Sequence, residues 1–374
     1  MPLRETSHHV ITGPAQHMQT LDNESVQLIV TSPPYPMISM WDQIMTGQNP
    51  KIGEALERND GPLAFELMHR ELDQVWAEAY RVLTPGGFAC INIGDATRTL
   101  NGSFALYANH ARIISAFASL GFSNLPNILW QKQTNAPNKF MGSGMLPAGA
   151  YVTLEHEWIL IFRKGGKRVV RSEEEKQLRR ESAFFWEERN SWFSDRWDLK
   201  GVKQKIQKSI ARDRSAAYPF DIPYRLINMY SLKGDTVLDP FLGIGTTMLA
   251  AITSERNSVG YELDAVFHEL INDTVSRTEP AQLNKLIYSR IEKHKEFIQK
   301  RNSDSPEGRM KHFNDNLNLP VMTSQETGIR LSYVQSIIST GKCTFKATYD
   351  PVSAVEHNDA EVRELNIRKK IVNY

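Results

Sequence analysis

The stretch TVLDPFLGIGTTMLAAI, residues 236–252, combines an apolar run, two glycines and a helix-forming segment in that order. The apolar residues before Asp239 predict a buried strand, and Met248–Ile252 predicts the helix that follows it. Gly243 and Gly245 lie between the two and let a ligand approach the backbone closely, as in nucleotide-binding turns. The stretch therefore predicts one strand–turn–helix unit of an α/β fold.

This turn lacks the residues that phosphate binding requires. It has neither GxGxxG nor a Gly-Lys-Ser/Thr ending, so it favours a nucleoside cofactor that carries no phosphates. The next predicted strand, Ser258–Glu262, ends in a carboxylate suited to ribose hydroxyls. Asp239 stands just before the turn, where a carboxylate can face a cationic ligand. The alternative is an ordinary βαβ turn without a ligand.

A second motif, TSPPY at residues 31–35, directly follows the apolar run Val26–Val30. The run predicts a buried parallel strand, and the two prolines end its ladder because they donate no N–H and fix φ. Ser32 then offers a hydroxyl, the prolines offer rigid carbonyl acceptors, and Tyr35 offers an aromatic face. This combination suits a flat ligand that presents an amino group. The alternative is a strand followed by a proline-rich surface loop.

Together the two motifs resemble the amino-group DNA methyltransferases that use S-adenosyl-L-methionine. Asp239–Thr246 is similar to the cofactor loop of that family, DPFxGxGT, and Thr31–Tyr35 is similar to its catalytic motif. Because the catalytic motif comes first in this chain, the order resembles the family's permuted beta class. The resemblance extends over roughly residues 10–275. Further segments that carry it, in the family's order, are Arg81–Gly87, Ile128–Lys132, His156–Phe162 and Tyr218–Pro219.

The resemblance implies a Rossmann-like α/β sheet in permuted order, S-adenosyl-L-methionine as cofactor and double-stranded DNA as substrate. Gly13-Pro14 departs from the Gly-Asp pair that the family often has, which puts one cofactor contact in doubt. The catalytic residues that it implies are Ser32, Pro33, Pro34 and Tyr35. The cofactor-binding residues that it implies are Asp239, Pro240, Phe241, Gly243, Gly245, Thr246, Glu262, Tyr218 and Pro219.

The identity of the target atom depends on the residue directly before the two prolines of the catalytic motif, which is Ser32 here. In the family, Ser at that position is associated with cytosine N4 and Asp with adenine N6, so Ser32 favours N4 of a flipped-out cytosine. Methylation at carbon-5 needs a Pro-Cys pair, but Ala89 precedes Cys90 and Lys342 precedes Cys343. Two alternatives remain open: an N6-adenine enzyme, and a non-catalytic DNA-binding protein that keeps the fold.

Composition narrows the class of protein further. With 23% charged and 41% hydrophobic residues in 374, the chain is typical of a soluble globular protein. We expect no membrane span or secretion signal, since no window approaches 18 apolar residues, and no zinc site. Two cysteines fit a reducing cytosol. By resemblance we expect a prokaryotic cytoplasmic enzyme of a restriction-modification system, beside a cognate endonuclease, with an oligomeric state that stays open.

The net charge of the whole chain is only +1, but one segment is strongly basic. Residues 163–214 hold 16 Lys and Arg against 9 Asp and Glu, a local net charge of +7. Basic side chains with interleaved aromatics predict a target-recognition region that contacts phosphates and bases. The alternative is a charged solvated helix over Glu173–Arg180 with a small aromatic core. The aromatic residues are Phe184, Phe185, Trp186, Trp192, Phe193 and Trp197.

We therefore expect four segments. They are a catalytic half at 1–162, the target-recognition region at 163–214, a cofactor half at 215–275 and a helical extension at 276–374. Within the extension, Gln282–Arg301 predicts a basic amphipathic helix and Asn302–Leu319 a linker. Residues 323–341 are consistent with helix–turn–helix, either as a packing extension, which we favour, or as an accessory DNA contact.

Overall fold

The computed structural model describes residues 5–132, 141–201, 218–304 and 310–353. The strands are β1 (Glu5–Thr12), β2 (Val26–Thr31), β3 (Leu83–Ile93), β4 (Ala96–Leu100), β5 (Ser103–Tyr107), β6 (Phe122–Gln131), β7 (Met141–Gly142), β8 (Ala150–Tyr151), β9 (His156–Lys164), β10 (Arg196–Asp198), β11 (Thr236–Asp239), β12 (Asn257–Glu262), β13 (His312–Asn314), β14 (Leu319–Val321), β15 (Ser332–Gly341) and β16 (Thr344–Pro351). The helices are α1 (Asp42–Gln48), α2 (Pro50–Glu57), α3 (Gly61–Val82), α4 (Asn109–Ser119), α5 (Glu173–Glu181), α6 (Trp186–Trp192), α7 (Asp221–Tyr230), α8 (Thr246–Thr253), α9 (Ala265–Arg277) and α10 (Pro280–Asp304).

The central sheet has ten strands among the described residues, in the order β10-β6-β9-β3-β2-β11-β12-β1-β16-β15. β2 and β11 are neighbours and run parallel. From β2 the chain moves outward through β3, and from β11 it moves outward in the other direction through β12. The carboxyl ends of β2 and β11 therefore form a topological switch point, the usual ligand site of an open α/β sheet.

The two central strands form where the sequence predicts them because both of their faces are covered. Alternate residues of β2 enter different cores, since successive side chains of a strand point to opposite faces. Ile29 belongs to the core under α3 and α4, whereas Leu28 and Val30 belong to the core under α7. The sheet is thus the middle of three layers, which explains the continuous apolar run of its central strand.

One strand of the catalytic side runs against its neighbours. β9 is antiparallel to both β3 and β6, so β6 is parallel to β3 and β2. The carboxyl ends of β2, β3 and β6 and the amino end of β9 consequently meet at one edge of the sheet. That edge carries the TSPPY motif and the beginning of the segment His156–Phe162.

The longest helix on the catalytic side, α3, shows why these segments become helical. Asp60 caps its amino end by accepting a hydrogen bond from the Leu63 N–H, and a proline occupies its first turn. Its buried side chains recur at helical spacing and pack against β2 and β3. No helix in the described ranges is long and apolar enough to cross a bilayer.

The C-terminal extension begins as predicted but does not stay helical. The predicted helix over Gln282–Arg301 is confirmed within α10. The helix–turn–helix expected at 323–341 is wrong, because Ser324–Glu326 is a single 3-10 turn and 332–341 is strand β15. β15 and β16 form a hairpin that extends the main sheet through β1. The helical extension expected at 276–374 is therefore helical only through α10, and residues 354–374 lie outside the described part.

The aromatic residues of the basic insertion are mostly core residues. Phe185 is buried in one core and Trp192 and Trp197 in another, against which Phe184 and Phe193 pack partly buried. The expectation that this set contacts bases is therefore wrong for Phe185, Trp192 and Trp197, because their rings are buried. Trp186 is 41% exposed. The predicted helix at Glu173–Arg180 is confirmed as α5, while five basic residues of the insertion lie outside the described ranges: Lys203, Lys205, Lys208, Arg212 and Arg214.

The N-terminal strand belongs spatially to the cofactor side of the sheet. β1 pairs in parallel with β12 and antiparallel with β16. Its place beyond β12 differs from the linear boundaries, which put residues 1–162 together. The reason is that the loop 13–25 carries the chain from β1 past the positions of β12 and β11 to β2.

Candidate active site

A cavity of about 620 Å³ opens at the switch point, between the carboxyl ends of β2 and β11. One wall is the TSPPY turn, and the opposite wall is the glycine turn and the end of β12. A third wall is α1 with the residues just before it. The residues that line the cavity on these walls include Ser32, Pro33, Pro34, Trp41, Ile44, Gln48, Tyr218, Asp239, Phe241, Gly243, Thr246, Glu262 and Phe267.

The glycine turn takes its shape from positive φ angles. Gly243 has φ of +56° and Gly245 has φ of +87°, conformations that strain any residue with a Cβ. Gly245 directly precedes α8, so its left-handed conformation turns the chain into the helix. A Cβ on Gly245 would also lie 3.3 Å from the Ile271 side chain. Gly245 thus shapes the turn from outside the cavity wall, whereas Gly243 lies on it.

Glu262 is held by the backbone at the end of β12. Its carboxylate accepts hydrogen bonds from the Gly243 and Asp264 N–H groups, both at 2.9 Å. Burial raises the pKa of Glu262 to about 7, against the opposing effect of these hydrogen bonds. Each carboxylate oxygen keeps a lone pair that hydroxyl donors of a ligand can use.

Asp239 does not stand free to face a cation. It is buried, and its two oxygens accept hydrogen bonds from the Thr31 and Thr247 hydroxyls, both at 2.5 Å. It also accepts the Phe241 N–H at 3.0 Å. Burial raises its pKa to about 6. Asp239 therefore ties β2 to the start of α8, and the Tyr218 hydroxyl joins this network through Thr247 at 2.5 Å.

A second hydrogen-bonded network lies behind the TSPPY turn. The Tyr35 hydroxyl donates to Glu157 at 2.7 Å, and the Ser32 hydroxyl lies 3.1 Å from the same phenolic oxygen. The Asn92 amide, at the end of β3, donates to Tyr35 at 2.8 Å and to Glu157 at 2.9 Å. Lys132 completes the network by donating to Glu157 at 2.7 Å. The end of β2 thus contributes Ser32 and Tyr35, and β3, β6 and β9 contribute one group each at the shared edge.

The ring of Tyr35 needs a glycine beside it. A Cβ on Gly94, just after β3, would lie 2.9 Å from the ring. Such a distance is shorter than carbon atoms tolerate, so a side chain there would displace the ring or the loop. Gly94 therefore lets the Tyr35 ring approach closely to the backbone that follows β3.

Most of the residues singled out in the sequence meet at one place. All of them line the cavity except Tyr35, Pro219 and Gly245. Pro219 lies at the start of α7, where its carbonyl accepts the Ile222 N–H at 3.0 Å. Tyr35 lies beside the cavity lining, and its hydroxyl is bonded to Glu157. Gly13 and Pro14 also line the cavity although the expected aspartate is absent.

Several functional candidates were not found from the sequence. The wall built by α1 carries no recognisable motif, and it is held in place by Arg98 of β4, which donates two hydrogen bonds to Asp42 at 2.8 and 2.7 Å. Glu157 lay within a segment that we noted only for its resemblance, and Asn92 gave no signal of its own. The described residues contain no cluster of His, Cys, Asp and Glu that could bind a metal ion.

The sequence is similar to known DNA methyltransferases. The sequence matches the N6/N4 methyltransferase family, described as DNA methylase, over residues 26–273. The Type II methyltransferase M.MthZI of Methanothermobacter thermautotrophicus is 48% identical over 360 residues, which cover 96% of this chain and 99% of that protein. M.MjaI of Methanocaldococcus jannaschii is 50% identical over 281 residues, which cover 72% of this chain and 91% of that protein.

A solved structure shares the architecture. A proposed DNA modification methylase of Thermus thermophilus, complexed with S-adenosyl-L-methionine, aligns with a TM-score of 0.56 and 30% identity. The alignment covers 72% of this chain and 93% of that one. The fold class and the family predicted from the two motifs are confirmed. From the match over residues 26–273 and the similarity along nearly the whole chain, it follows that the chain belongs to the N6/N4 DNA methylases.

Proposed function

We propose that this chain transfers a methyl group from S-adenosyl-L-methionine to the exocyclic N4 of a cytosine flipped out of duplex DNA. The observation that carries the proposal is the shared cavity. Ser32, Pro33 and Pro34 line it together with Asp239 and Glu262, so the acceptor turn and the cofactor loop face one space. A methyl donor bound on one side of this space lies beside a base bound on the other.

The cavity residues fit the proposed cofactor. Glu262 can accept hydrogen bonds from ribose hydroxyls while the backbone holds it, and Gly243 lets the nucleoside approach the chain. Phe241, Leu263 and Phe267 offer apolar surface for the adenine ring. When bound, S-adenosyl-L-methionine supplies an electrophilic methyl group on a sulfonium. The relative from Thermus thermophilus, which is 30% identical, was crystallised with this molecule.

The TSPPY turn would activate the target amine. An exocyclic amine is a poor nucleophile because its lone pair is delocalised into the ring. The Ser32 hydroxyl and the Pro33 carbonyl can accept hydrogen bonds from the amino hydrogens, which favours tetrahedral geometry and frees the lone pair. Alignment of the two reactants supplies much of the rate, since well-oriented groups gain roughly 7–11 kcal/mol. Serine is too weak a base to take the proton early, so the proton leaves late, to water or a carbonyl.

Tyr35 would hold the extruded base by stacking. Its hydroxyl is fixed by Glu157 and Asn92, so the ring is oriented before a base arrives. Pre-orientation lowers the entropic cost of binding. The cost of extrusion, a few kcal/mol, must be offset by such contacts.

The choice of cytosine N4 over adenine N6 rests on Ser32. In the family, a serine directly before the two prolines is associated with cytosine as the target, and an aspartate there is associated with adenine. Ser32 has an amide, Asn92, as its other polar neighbour at 3.4 Å, and no carboxylate among its direct partners in the described residues. The family itself includes enzymes of both kinds.

The names of the relatives support a proposal for the biological setting. Both archaeal relatives are named type II methyltransferases, which supports protection of host DNA beside a cognate endonuclease in a prokaryotic cytoplasm. Residues 163–214 would supply the target-recognition region, with phosphate contacts from its excess of Lys and Arg. Residues 276–374 would mainly pack against the sheet and that region.

Mass spectrometry of nucleosides from DNA of cells expressing the chain tests the proposal. We expect N4-methylcytosine at one short sequence, mapped by sequencing of modified bases, and none with a Ser32→Ala, Tyr35→Ala double variant. N6-methyladenine would overturn the choice of base and leave a DNA methyltransferase. Cofactor binding without any modified base in DNA would indicate a non-catalytic DNA-binding protein.

A further inference from the structure

A small apolar hairpin projects from the edge of the sheet that carries the TSPPY turn. β7 and β8 pair as Met141 with Tyr151 and Gly142 with Ala150. The hairpin connects the carboxyl end of β6 to the amino end of β9. Its base is closed by the Lys132 N–H, which donates to the Glu155 carbonyl at 2.8 Å. The two strands below it carry Lys132 and Glu157, both in the network behind Tyr35.

The tip of the hairpin is folded and apolar. The Ser143 hydroxyl donates to the Leu146 carbonyl at 2.6 Å, and the Ser143 N–H donates to the Gly149 carbonyl at 2.8 Å. This turn leaves Met145 87% exposed and Leu146 70% exposed. Residues 141–154 include no charged side chain. Two adjacent large apolar residues held outward in this way form an exposed apolar patch, a feature that marks interaction sites.

The hairpin is seated on a second one. The Tyr151 ring stacks on the Phe104 ring of β5 with centroids 4.5 Å apart and planes 5° from parallel. The β4–β5 hairpin is in turn joined to α1 through Arg98 and Asp42. The apolar tip therefore has a support that connects it to the wall of the cavity, so its position relative to the catalytic edge is determined by packing.

We propose that Met145 and Leu146 enter the base stack of duplex DNA and fill the space that the target base leaves when it is extruded. This inference rests on the proposed function, since it needs a flipped base. DNA backbone contacts use cationic side chains, which residues 141–154 lack, whereas apolar wedges suit the faces of unstacked bases. The hairpin lies in the connection between β6 and β9, the two strands whose ends carry Lys132 and Glu157 of the Tyr35 network.

The test compares a Met145→Ala, Leu146→Ala double variant with Ile338→Ala. Ile338 is 55% exposed on β15, at the opposite end of the sheet, and is a matched apolar control. Substrates are two duplexes that carry the mapped site, one with the target base paired and one with it opposite an abasic position. Turnover is measured for each protein on these duplexes. Fluorescence is measured on matching duplexes in which 2-aminopurine replaces the target base.

We expect the double variant to lose about tenfold or more in turnover on the paired duplex, equivalent to about 1.4 kcal/mol or more, with unchanged cofactor affinity. On the abasic duplex it should return to within about threefold of the parent, because the target no longer needs to be displaced. The 2-aminopurine signal of the paired duplex should fall in parallel. Ile338→Ala should behave as the parent on both.

Equal losses on the two duplexes, or no loss on either, would overturn the proposal that Met145 and Leu146 act as a wedge in the base stack. So would an unchanged 2-aminopurine signal combined with a shift of sedimentation toward a smaller species, which would identify the tip as a contact with a second copy. If the parent methylates adenine, the same comparison is made with adenine as target. The result then tests the wedge separately from the choice of base. If the parent extrudes no base, the wedge and the proposed mechanism both fail.

Discussion

The phenolic hydroxyl of Tyr35 donates a hydrogen bond of 2.7 Å to Glu157, a residue 122 positions later in the chain. The pKa of Tyr35 is raised well above its ordinary value, first by burial and then by the charge of Glu157. The hydroxyl therefore stays protonated and remains a donor. Asn92 and Lys132 bind the same carboxylate, so the orientation of the ring depends on three strands besides its own.

Removing the ring should affect turnover more than cofactor binding. We expect Tyr35→Ala to lower kcat by roughly 10–100-fold, because stacking of a base on an aromatic ring contributes about 1–3 kcal/mol. Tyr35→Phe keeps the stacking face and should lose about tenfold or less. Single-turnover methylation and calorimetric titration of cofactor measure the two quantities. Loss of cofactor binding alone would contradict the stacking role.

Glu157 should act by positioning Tyr35. In Glu157→Ala, the Tyr35 hydroxyl and the Asn92 amide lose their acceptor, and we expect kcat to fall about tenfold or more. Glu157→Gln keeps one oxygen toward Tyr35 and should recover most of kcat, since Lys132 is 49% exposed and can turn to solvent. A matched control is Glu54→Ala, an exposed surface carboxylate. If Gln and Ala behave alike in kcat while unfolding is unchanged, positioning through hydrogen bonding is wrong.

The pKa of Glu262 predicts a pH dependence of cofactor binding. Because burial raises it to about 7, the cofactor-free protein is partly protonated there at pH 6, and ribose hydroxyls need the ionised form. Affinity should therefore rise by up to about tenfold per pH unit as pH increases toward 7 and level off above it. Glu262→Gln should bind more weakly and show a flatter profile above pH 6.5. Titrations between pH 6.5 and 8.5 avoid most of the contribution of Asp239, whose pKa is about 6.

The same shift has a consequence for stability. The folded pKa of Glu262 lies above its ordinary value of 4.5, so the folded cofactor-free protein binds the proton more tightly than the unfolded chain. Its stabilising contribution is complete below about pH 4.5 and is lost as pH rises through about 7. Glu262→Gln should therefore become more stable relative to the parent as pH increases across this window, measured by urea unfolding without cofactor. An opposite trend would contradict the sign of the shift.

Arg98 should control cofactor affinity from outside the cavity. Its two hydrogen bonds to Asp42 hold the amino end of α1, and Ile44 and Gln48 of that helix line the cavity. We expect Arg98→Ala to raise the cofactor Kd by about 3–30-fold, or about 0.6–2 kcal/mol, with kcat at saturation changed little. Arg58→Ala removes an exposed ion pair of α2 and serves as a control without effect. A fall in kcat with unchanged Kd would show that α1 has another role.

The pair Arg290–Glu188 should be the strongest single link between the basic insertion and the C-terminal extension. Both groups are buried, with two contacts of 2.6 and 2.8 Å, and Glu188 also accepts the Phe185 N–H. Arg290→Ala should cost about 3–5 kcal/mol of unfolding free energy because it leaves a buried carboxylate unpaired. Arg290→Met combined with Glu188→Gln should recover a large part. Urea unfolding measures both, and an equal loss in the double variant would argue against unpaired charge as the cause.

The aromatic insertion shows where composition misleads. Alternating rings and positive charges are equally typical of a base-contacting surface and of a small core, because composition does not reveal which face a ring takes. In the structure, Trp192 and Trp197 cover β6 and the helix α7, and Phe185 stacks on His294 of α10. The tertiary contacts that bury them come from segments far along the chain.

The prediction for residues 323–341 is wrong for a similar reason. Residues 332–341 alternate poorly, so their strand depends on pairing with β16, which itself pairs with β1 at the other end of the chain. A short polar stretch without a partner has little preference of its own. The helix α10, whose apolar residues recur at helical spacing, needed no such partner to be recognised.

The sequence by itself determined the two motif-bearing turns, the strands before them, the permuted order and hence the family. The turns and strands depend on neighbours within about a dozen residues, where proline, glycine and apolar periodicity act directly, and the permuted order is read from the positions of the two motifs along the chain. Only the tertiary structure decided that Glu157 orients Tyr35, that Asp239 ties two elements together and that α1 closes the cavity. Those relationships arise from strand order and register, which bring distant residues to one edge of a sheet and which no local spacing encodes.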